Sequence, residues 1–167
     1  MEKRPDRYAV VFATALAWLA LDQATKIAVT RSIAVGQGFN VIPGCFDIVH
    51  VLNHGAAFGV LNDAGTTWQI WLFLAAAALV FVLVMRLVRN APYSMALFLG
   101  LGSLIGGAAG NIVDRVRSQA VTDFLDVYWG RLHWPAFNVA DVAICLGVFV
   151  AGAVLLLQER RERQGKA

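Results

Sequence analysis

Residues 68–88 read WQIWLFLAAAALVFVLVMRLV, with Arg86 as the one charged side chain. A stretch this long and this apolar is what a helix needs to cross the ~30 Å hydrocarbon core of a bilayer, which takes ~20 residues. Three further stretches have the same character, at about 8–29, 94–113 and 139–157. Composition agrees. Of the 167 residues, 59% are hydrophobic and 15% charged, against ~45–50% and ~25% in soluble domains. The expectation is one integral membrane domain over 1–167, an all-α bundle of four transmembrane helices.

The first stretch follows Lys3, Arg4 and Arg7, as a signal peptide would. It is too long for one, and it ends in Leu21-Asp22-Gln23-Ala24-Thr25-Lys26 instead of a small-residue cleavage site, so it is expected to stay in the protein. Basic residues set the orientation. Lys3, Arg4 and Arg7 precede the first span, Arg86 and Arg89 lie near the link between the second and third, and Arg160, Arg161, Arg163 and Lys166 follow the fourth. The positive-inside rule places both termini in the cytoplasm. The net charge of +3 therefore reads as topology, and nucleic acid is not an expected partner.

The outer loops then cover about 31–66 and 114–137. Phe39-Asn40-Val41-Ile42 and Phe46-Asp47-Ile48-Val49-His50-Val51-Leu52 are rich in β-branched and aromatic residues and are separated by Pro43-Gly44. They predict a small strand-rich extracytoplasmic subdomain in the first outer loop. Tyr128, Trp129 and Trp134 in the second loop, with Trp68 and Trp71 at the start of the second span, have the character of an interfacial aromatic belt. The third span carries Gly100, Gly102, Gly106, Gly107 and Gly110. Small residues four apart let helix backbones approach closely in lipid.

Ionisable groups inside spans are costly and usually functional. Here they collect at one depth. Asp22 and Lys26 sit one turn apart near the outer end of the first span, Asn111, Asp114 and Arg115 at the outer end of the third, and Asn138 and Asp141 at the outer start of the fourth. Asp123 and Asp126 lie in the loop just before it. The inner halves of the spans are almost purely apolar. Ligand supply argues against a metal: there are three histidines, His50, His54 and His133, no His-Glu-x-x-His, and two distant cysteines, Cys45 and Cys145, expected to be free. No cofactor-binding or serine-nucleophile motif is present.

Carboxylates remain. Two that share a site cannot both ionise cheaply, so one keeps a proton near neutral pH while the other can accept one. Such a pair hydrolyses a peptide bond without metal or covalent intermediate. Asp141, between Ala140 and Val142, suits the protonated role. By depth its partner could be Asp123, Asp126, Asp114 or Asp22, and spacing does not choose. Ion pairs Asp22–Lys26 and Asp114–Arg115, with Asp141 capping its own helix, would be the structural alternative. A small transporter or channel subunit using Asp22, Lys26 and Asp141 as an ion path is the functional one, though it would need polar groups through the whole thickness.

Five segments in order resemble one family. Residues 21–26 (LDQATK), 53–59 (NHGAAFG), 106–115 (GGAAGNIVDR), 121–124 (VTDF) and 135–141 (PAFNVAD) resemble the motifs of the bacterial lipoprotein signal peptidases, signal peptidase II. The resemblance spans nearly the whole chain. It implies that Asp123 and Asp141 are the catalytic dyad of an aspartic endopeptidase. It also implies that Asp22, Lys26, Asn53, Gly55, Asn111, Arg115, Asn138 and Ala140 shape the site or hold substrate. The implied substrate is a prolipoprotein whose cysteine already carries diacylglycerol, cut just before that cysteine. The implied place is the bacterial cytoplasmic (inner) membrane, with the site near its outer face in contact with membrane lipids. Globomycin is the implied inhibitor. No metal or cofactor is implied.

Overall fold

The computed structural model describes residues 5–55 and 68–164. Four long helices make up most of it: α1 (Arg7–Ser32), α2 (Trp68–Asn90), α3 (Met95–Ser118) and α4 (Val139–Gln164). All four are long and apolar enough to cross a membrane. Each outruns the apolar stretch read from sequence by a few residues, because a helix continues into the polar zone wherever caps are available. Asp6 opens α1 by accepting from the Ala9 backbone nitrogen at 3.0 Å. Ser94 opens α3 by accepting from that of Leu97 at 3.3 Å. Pro92, two residues past the end of α2, cannot continue a helix.

Helix α3 is the central element, packed against α4 and α1 and less extensively against α2. Its glycines are the reason. A Cβ on Gly102 would strike the Val11 carbonyl and Thr14 of α1, and one on Gly106 would strike the backbone of Ala15. One on Gly107 would strike the Ala140 carbonyl of α4. The small-residue face therefore serves close packing on two sides. The opposite end of the bundle is closed by apolar side chains, with Val11, Val84, Val88, Leu97, Phe98 and Leu101 buried together. There Arg7 donates from Nη1 to the carbonyls of Val88, Arg89 and Ala91 at 2.9, 3.1 and 3.3 Å. It so satisfies carbonyls that the end of α2 leaves open.

At the other end of the bundle lies an antiparallel sheet, ordered β1 (Gly38–Ile42), β2 (Phe46–Asn53), β3 (Val121–Trp129) and β4 (Leu132–His133). The strand-rich unit expected in the first outer loop is present as β1 and β2, and it extends into the second loop, which supplies β3 and β4. β2 pairs with β3 over Asn53↔Val121, Leu52↔Thr122 and Val51↔Asp123. The register shifts between Ile48 and Val51, and His50 falls in that bulge. Its ring is buried rather than lying in a polar loop, with Nδ1 2.7 Å from the Ile33 carbonyl at the end of α1. Segment 135–137 is tied to β3 by Phe137, which exchanges backbone hydrogen bonds with Leu125 at 2.8 and 3.1 Å. That tie sets the start of α4 beside Asp123.

Candidate active site

The site grows from the first turn of α4. Asn138 is its cap: Oδ1 accepts from the Asp141 backbone nitrogen at 3.0 Å, and the Asn138 nitrogen donates back to Asp141 Oδ2 at 3.1 Å. This reciprocal pair is a capping box. The structural role considered for Asp141 is therefore real, and it leaves Oδ1 for another partner, Asn111 Nδ2 at 2.8 Å. The Asn138 amide also reaches outward, donating to Asp123 Oδ1 at 2.6 Å and to Asn111 Oδ1 at 3.2 Å. Asn53 donates to the other Asp123 oxygen at 3.0 Å. One asparagine thus holds both aspartates.

Beneath this pair lies a buried ionic cluster. Lys26, 3% exposed, places Nζ 2.9 Å from Asp22 Oδ2, 2.9 Å from Asp114 Oδ2 and 3.0 Å from Asn111 Oδ1. Two carboxylates and an amide oxygen occupy the three donors of the ammonium, as a charge out of water requires. Asp22, fully buried, spends its other oxygen on the Ala140 backbone nitrogen at 2.9 Å. Gly110 leaves room for the Asp22 carboxylate, which a Cβ there would strike. Asp114 also accepts from the Thr122 nitrogen at 3.1 Å and from Gln23 Nε2 at 3.0 Å. It thereby fixes β3 one residue before Asp123.

Asp123 and Asp141 open onto one cavity of about 690 Å³. Asn53, Asn111 and Arg115 share its polar end, and Val142, Cys145 and Leu146 of α4 form an apolar wall. Burial pushes the Asp123 carboxyl up to about 6 from its ordinary 3.8. The Asn53 hydrogen bond opposes this, the Asp141 charge adds to it, and the Asn138 bond opposes it. Arg115 does not pair with Asp114 as one alternative had it. Its Nη2 donates to the Gly55 carbonyl at 2.9 Å, and its guanidinium lies over Phe73 of α2 at 3.9 Å from the ring centre. The remaining candidates for a partner to Asp141 face elsewhere: Asp22 and Asp114 toward Lys26, and Asp126 toward His133 at 3.0 Å. Among the described residues no three His, Cys, Asp or Glu side chains gather as a metal site. Cys45 and Cys145 are both free.

An aspartate pair lining one cavity at one end of four apolar helices is a combination that known families can test. The family described as Signal peptidase (SPase) II matches residues 14–157. The chain belongs to the signal peptidase II family. It is 45% identical to the lipoprotein signal peptidase of Nitratidesulfovibrio vulgaris (strain DP4) over 160 residues, 96% of this chain and 97% of that one. It is 42% identical to the lipoprotein signal peptidase of Geobacter sulfurreducens over 156 residues, 93% of this chain and 96% of that one. A bacterial membrane enzyme solved by the in meso method at 2.3 Å shares the fold with a TM-score of 0.78 at 28% identity, covering 89% of this chain and 88% of that one. This member of the signal peptidase II family is a multi-pass membrane protein.

Of the ten residues singled out in the sequence of this signal peptidase II member, Asp123, Asp141, Asn53, Asn111 and Arg115 line the cavity. Asp22, Lys26, Asn138 and Ala140 form the layer behind them, and Gly55 is held between Arg115 and Asn53. Residues 56–59 of the second motif lie outside the described residues. Sequence reasoning did not pick out three contributors. Gln23 and the Thr122 backbone were missed although they lie in quoted motifs. Phe73 lies in an apolar run, where nothing in the sequence distinguishes it from its neighbours.

Proposed function

We propose that this protein removes the signal peptide from diacylglyceryl-modified prolipoproteins, cutting just before the lipidated cysteine, with Asp123 and Asp141 as the catalytic dyad. The observation that carries the reading is that Asn138 bonds both carboxylates at the mouth of one cavity. In the proposed step the ionised carboxylate takes a proton from water, and the resulting hydroxide adds to the scissile carbonyl. The protonated carboxyl then gives its proton to the leaving nitrogen as the C–N bond breaks. Two coupled carboxyls titrate as a pair, so the proton belongs to the dyad. The raised value of Asp123 supports a dyad that keeps one proton up to about pH 6.

The remaining residues have roles that follow from their bonds. Asn111 and Asn138 orient the carboxylates, and Asp22 and Lys26 support them from behind. Asn53, Gly55 and Arg115 hold the peptide, with Ala140 keeping the floor of the site small. The apolar wall of α4 is where acyl chains would lie while the peptide enters the polar end. In this reading the protein acts as one integral unit of the bacterial cytoplasmic membrane, with both termini cytoplasmic and the sheet and cavity at the outer face. It needs no metal or cofactor, and globomycin fills the cavity.

The test is a cleavage assay of purified protein on a diacylglyceryl-modified precursor, with and without globomycin. Cleavage before the cysteine, blocked by globomycin and abolished in Asp123→Asn and Asp141→Asn, is the expected result. Undiminished processing by either variant would remove the dyad. A transporter is disfavoured by the placement of Asp22, Lys26, Asp114, Asp123 and Asp141 at one end of the bundle.

A further inference from the structure

Helix α2 contributes no hydrogen-bonding group to the contacts described around the two aspartates, yet it reaches them through an aromatic ring. Phe73 lies a little more than one helical turn past Trp68, in the half of α2 nearer the sheet. Its ring faces the Arg115 guanidinium, with Cζ 3.9 Å from the ring centre. That is close for a cation over an aromatic face, where attraction extends to about 6 Å. Arg115 carries the contact onward: Nη2 donates to the Gly55 carbonyl at 2.9 Å. The Gly55 nitrogen in turn donates to Asn53 Oδ1 at 3.0 Å, and Asn53 Nδ2 donates to Asp123 Oδ2 at 3.0 Å. A continuous chain of contacts therefore runs from a half-buried ring on α2 to the carboxylate on β3.

The chain has one weak link. Among the described residues, only the Gly55 bond fixes Arg115 at short range, because its contact to the Asn111 carbonyl is long, at 3.5 Å. Its Nε is buried with no partner among the described residues. A guanidinium so lightly held by hydrogen bonds owes its place to the charges of Asp123, Asp141 and Asp114 around it and to the ring beneath it, and a planar cation on a planar ring loses little freedom on docking. We propose that Phe73 is a positioning residue: its ring fixes the Arg115 guanidinium against Gly55 and, through Asn53, sets the orientation of Asp123. The consequence for catalysis rests on the function proposed above. The stacking itself does not.

The experiment has two arms on the full-length protein in detergent micelles or nanodiscs. In the first, the Arg115 Nε–Hε resonance is assigned by its loss in Arg115→Lys and compared between wild type, Phe73→Leu and Phe73→Tyr. The ring places that proton upfield in wild type and Phe73→Tyr, and Phe73→Leu returns it to the ordinary position. An unshifted wild-type resonance overturns the proposal whether or not the protein cleaves anything. In the second arm, kcat/KM on a diacylglyceryl-modified precursor falls about tenfold in Phe73→Leu, the scale of one partly desolvated cation–π contact. It is restored in Phe73→Tyr. Phe73→Leu added to the neutral Arg115→Gln costs nothing further, because the cation has already gone. Equal activity of Phe73→Leu and wild type, or a full additional loss in the Arg115→Gln background, overturns the positioning role. A wild-type protein that cleaves no precursor removes the proposed function instead, and the resonance still decides the stacking.

Discussion

The carboxylate of Asp22 accepts a hydrogen bond from the backbone nitrogen of Ala140 at 2.9 Å, across 118 residues of sequence. A helix leaves its first N–H groups without internal partners, and here α1 supplies a charged acceptor to the first turn of α4. The bond fixes the helix start one residue before Asp141. Ala140 itself is fully buried, with its Cβ facing Gly110 and its carbonyl where a Cβ on Gly107 would be, so the position has room only for a small side chain.

Asp22→Ala should be among the most damaging single changes. It leaves the Ala140 nitrogen unpaired and removes one of the two carboxylates that neutralise Lys26. Breaking a buried ion pair from one side costs ~3–5 kcal/mol. The expected outcome is a large drop in thermal stability in detergent together with loss of precursor cleavage.

Ala140→Val should fail for steric reasons. The side chain has no free space beside Gly107 and Gly110, and overpacking of this kind costs about 1–3 kcal/mol. Cleavage should fall more than stability does, because the displaced turn carries Asp141. Parallel thermal-unfolding and activity measurements check this, and wild-type activity in Ala140→Val would refute it.

Cleavage should depend on pH with a descending alkaline limb. Asp123, raised to about 6, loses its proton as pH climbs through that region, and a fully ionised dyad has no acid for the leaving nitrogen. Asn53 and Asn138 stabilise the charged form of Asp123, so Asn53→Ala should move the alkaline limb to higher pH. A limb that moves down, or not at all, counts against the assignment.

Asp123→Asn should unfold at higher temperature than wild type above pH 7. Because the folded carboxyl is raised from 3.8 to about 6, the fold binds its proton more tightly than the unfolded chain does. That contribution to stability is complete below about 3.8 and is lost as pH rises through about 6. Removing the carboxylate therefore relieves the fold more at the higher pH, by roughly 1–2 kcal/mol once the amide's poorer fit between Asn53 and Asn138 is included. Melting curves at pH 5 and pH 8 separate the two regimes, and a gain at pH 5 equal to that at pH 8 would contradict it.

Arg7→Ala should lower stability by about 1–3 kcal/mol, since three carbonyls near the end of α2 lose their donor. The effect on kcat should be small, because Arg7 lies at the end of the bundle far from the cavity. Lysine should not substitute fully, because an ammonium lacks the planar fork and stacking surface of the guanidinium near Phe98.

The helices were legible because lipid imposes a simple rule: a spanning helix must stay apolar for its full length, so residues 68–88 could hardly be anything else. The polar residues then stood out by depth, and Asp22, Lys26, Asn111, Arg115, Asn138 and Asp141 were found on that ground. The sheet was half legible. The β-branched runs before Asn53 read as strands, whereas Val121–Trp129 has the same character but was read for its acids and aromatics. Its strand identity depends on pairing with β2, a long-range contact that local composition does not report.

What the amino-acid order determined by itself was the set of spans, the end at which the charges collect and the family motifs. Each of these is a property of residues taken singly or in short runs. What the tertiary structure decided was which side chains meet. Four aspartates stood at suitable depth as partners for Asp141. The register Val51↔Asp123 and the tie between Phe137 and Leu125 bring Asp123 to Asn138, while Lys26 draws in Asp22 and Asp114. Depth is set by hydrophobicity along the chain. Proximity within that layer is set by hydrogen bonds between segments far apart in sequence, and those exist only once the helices and the sheet have packed.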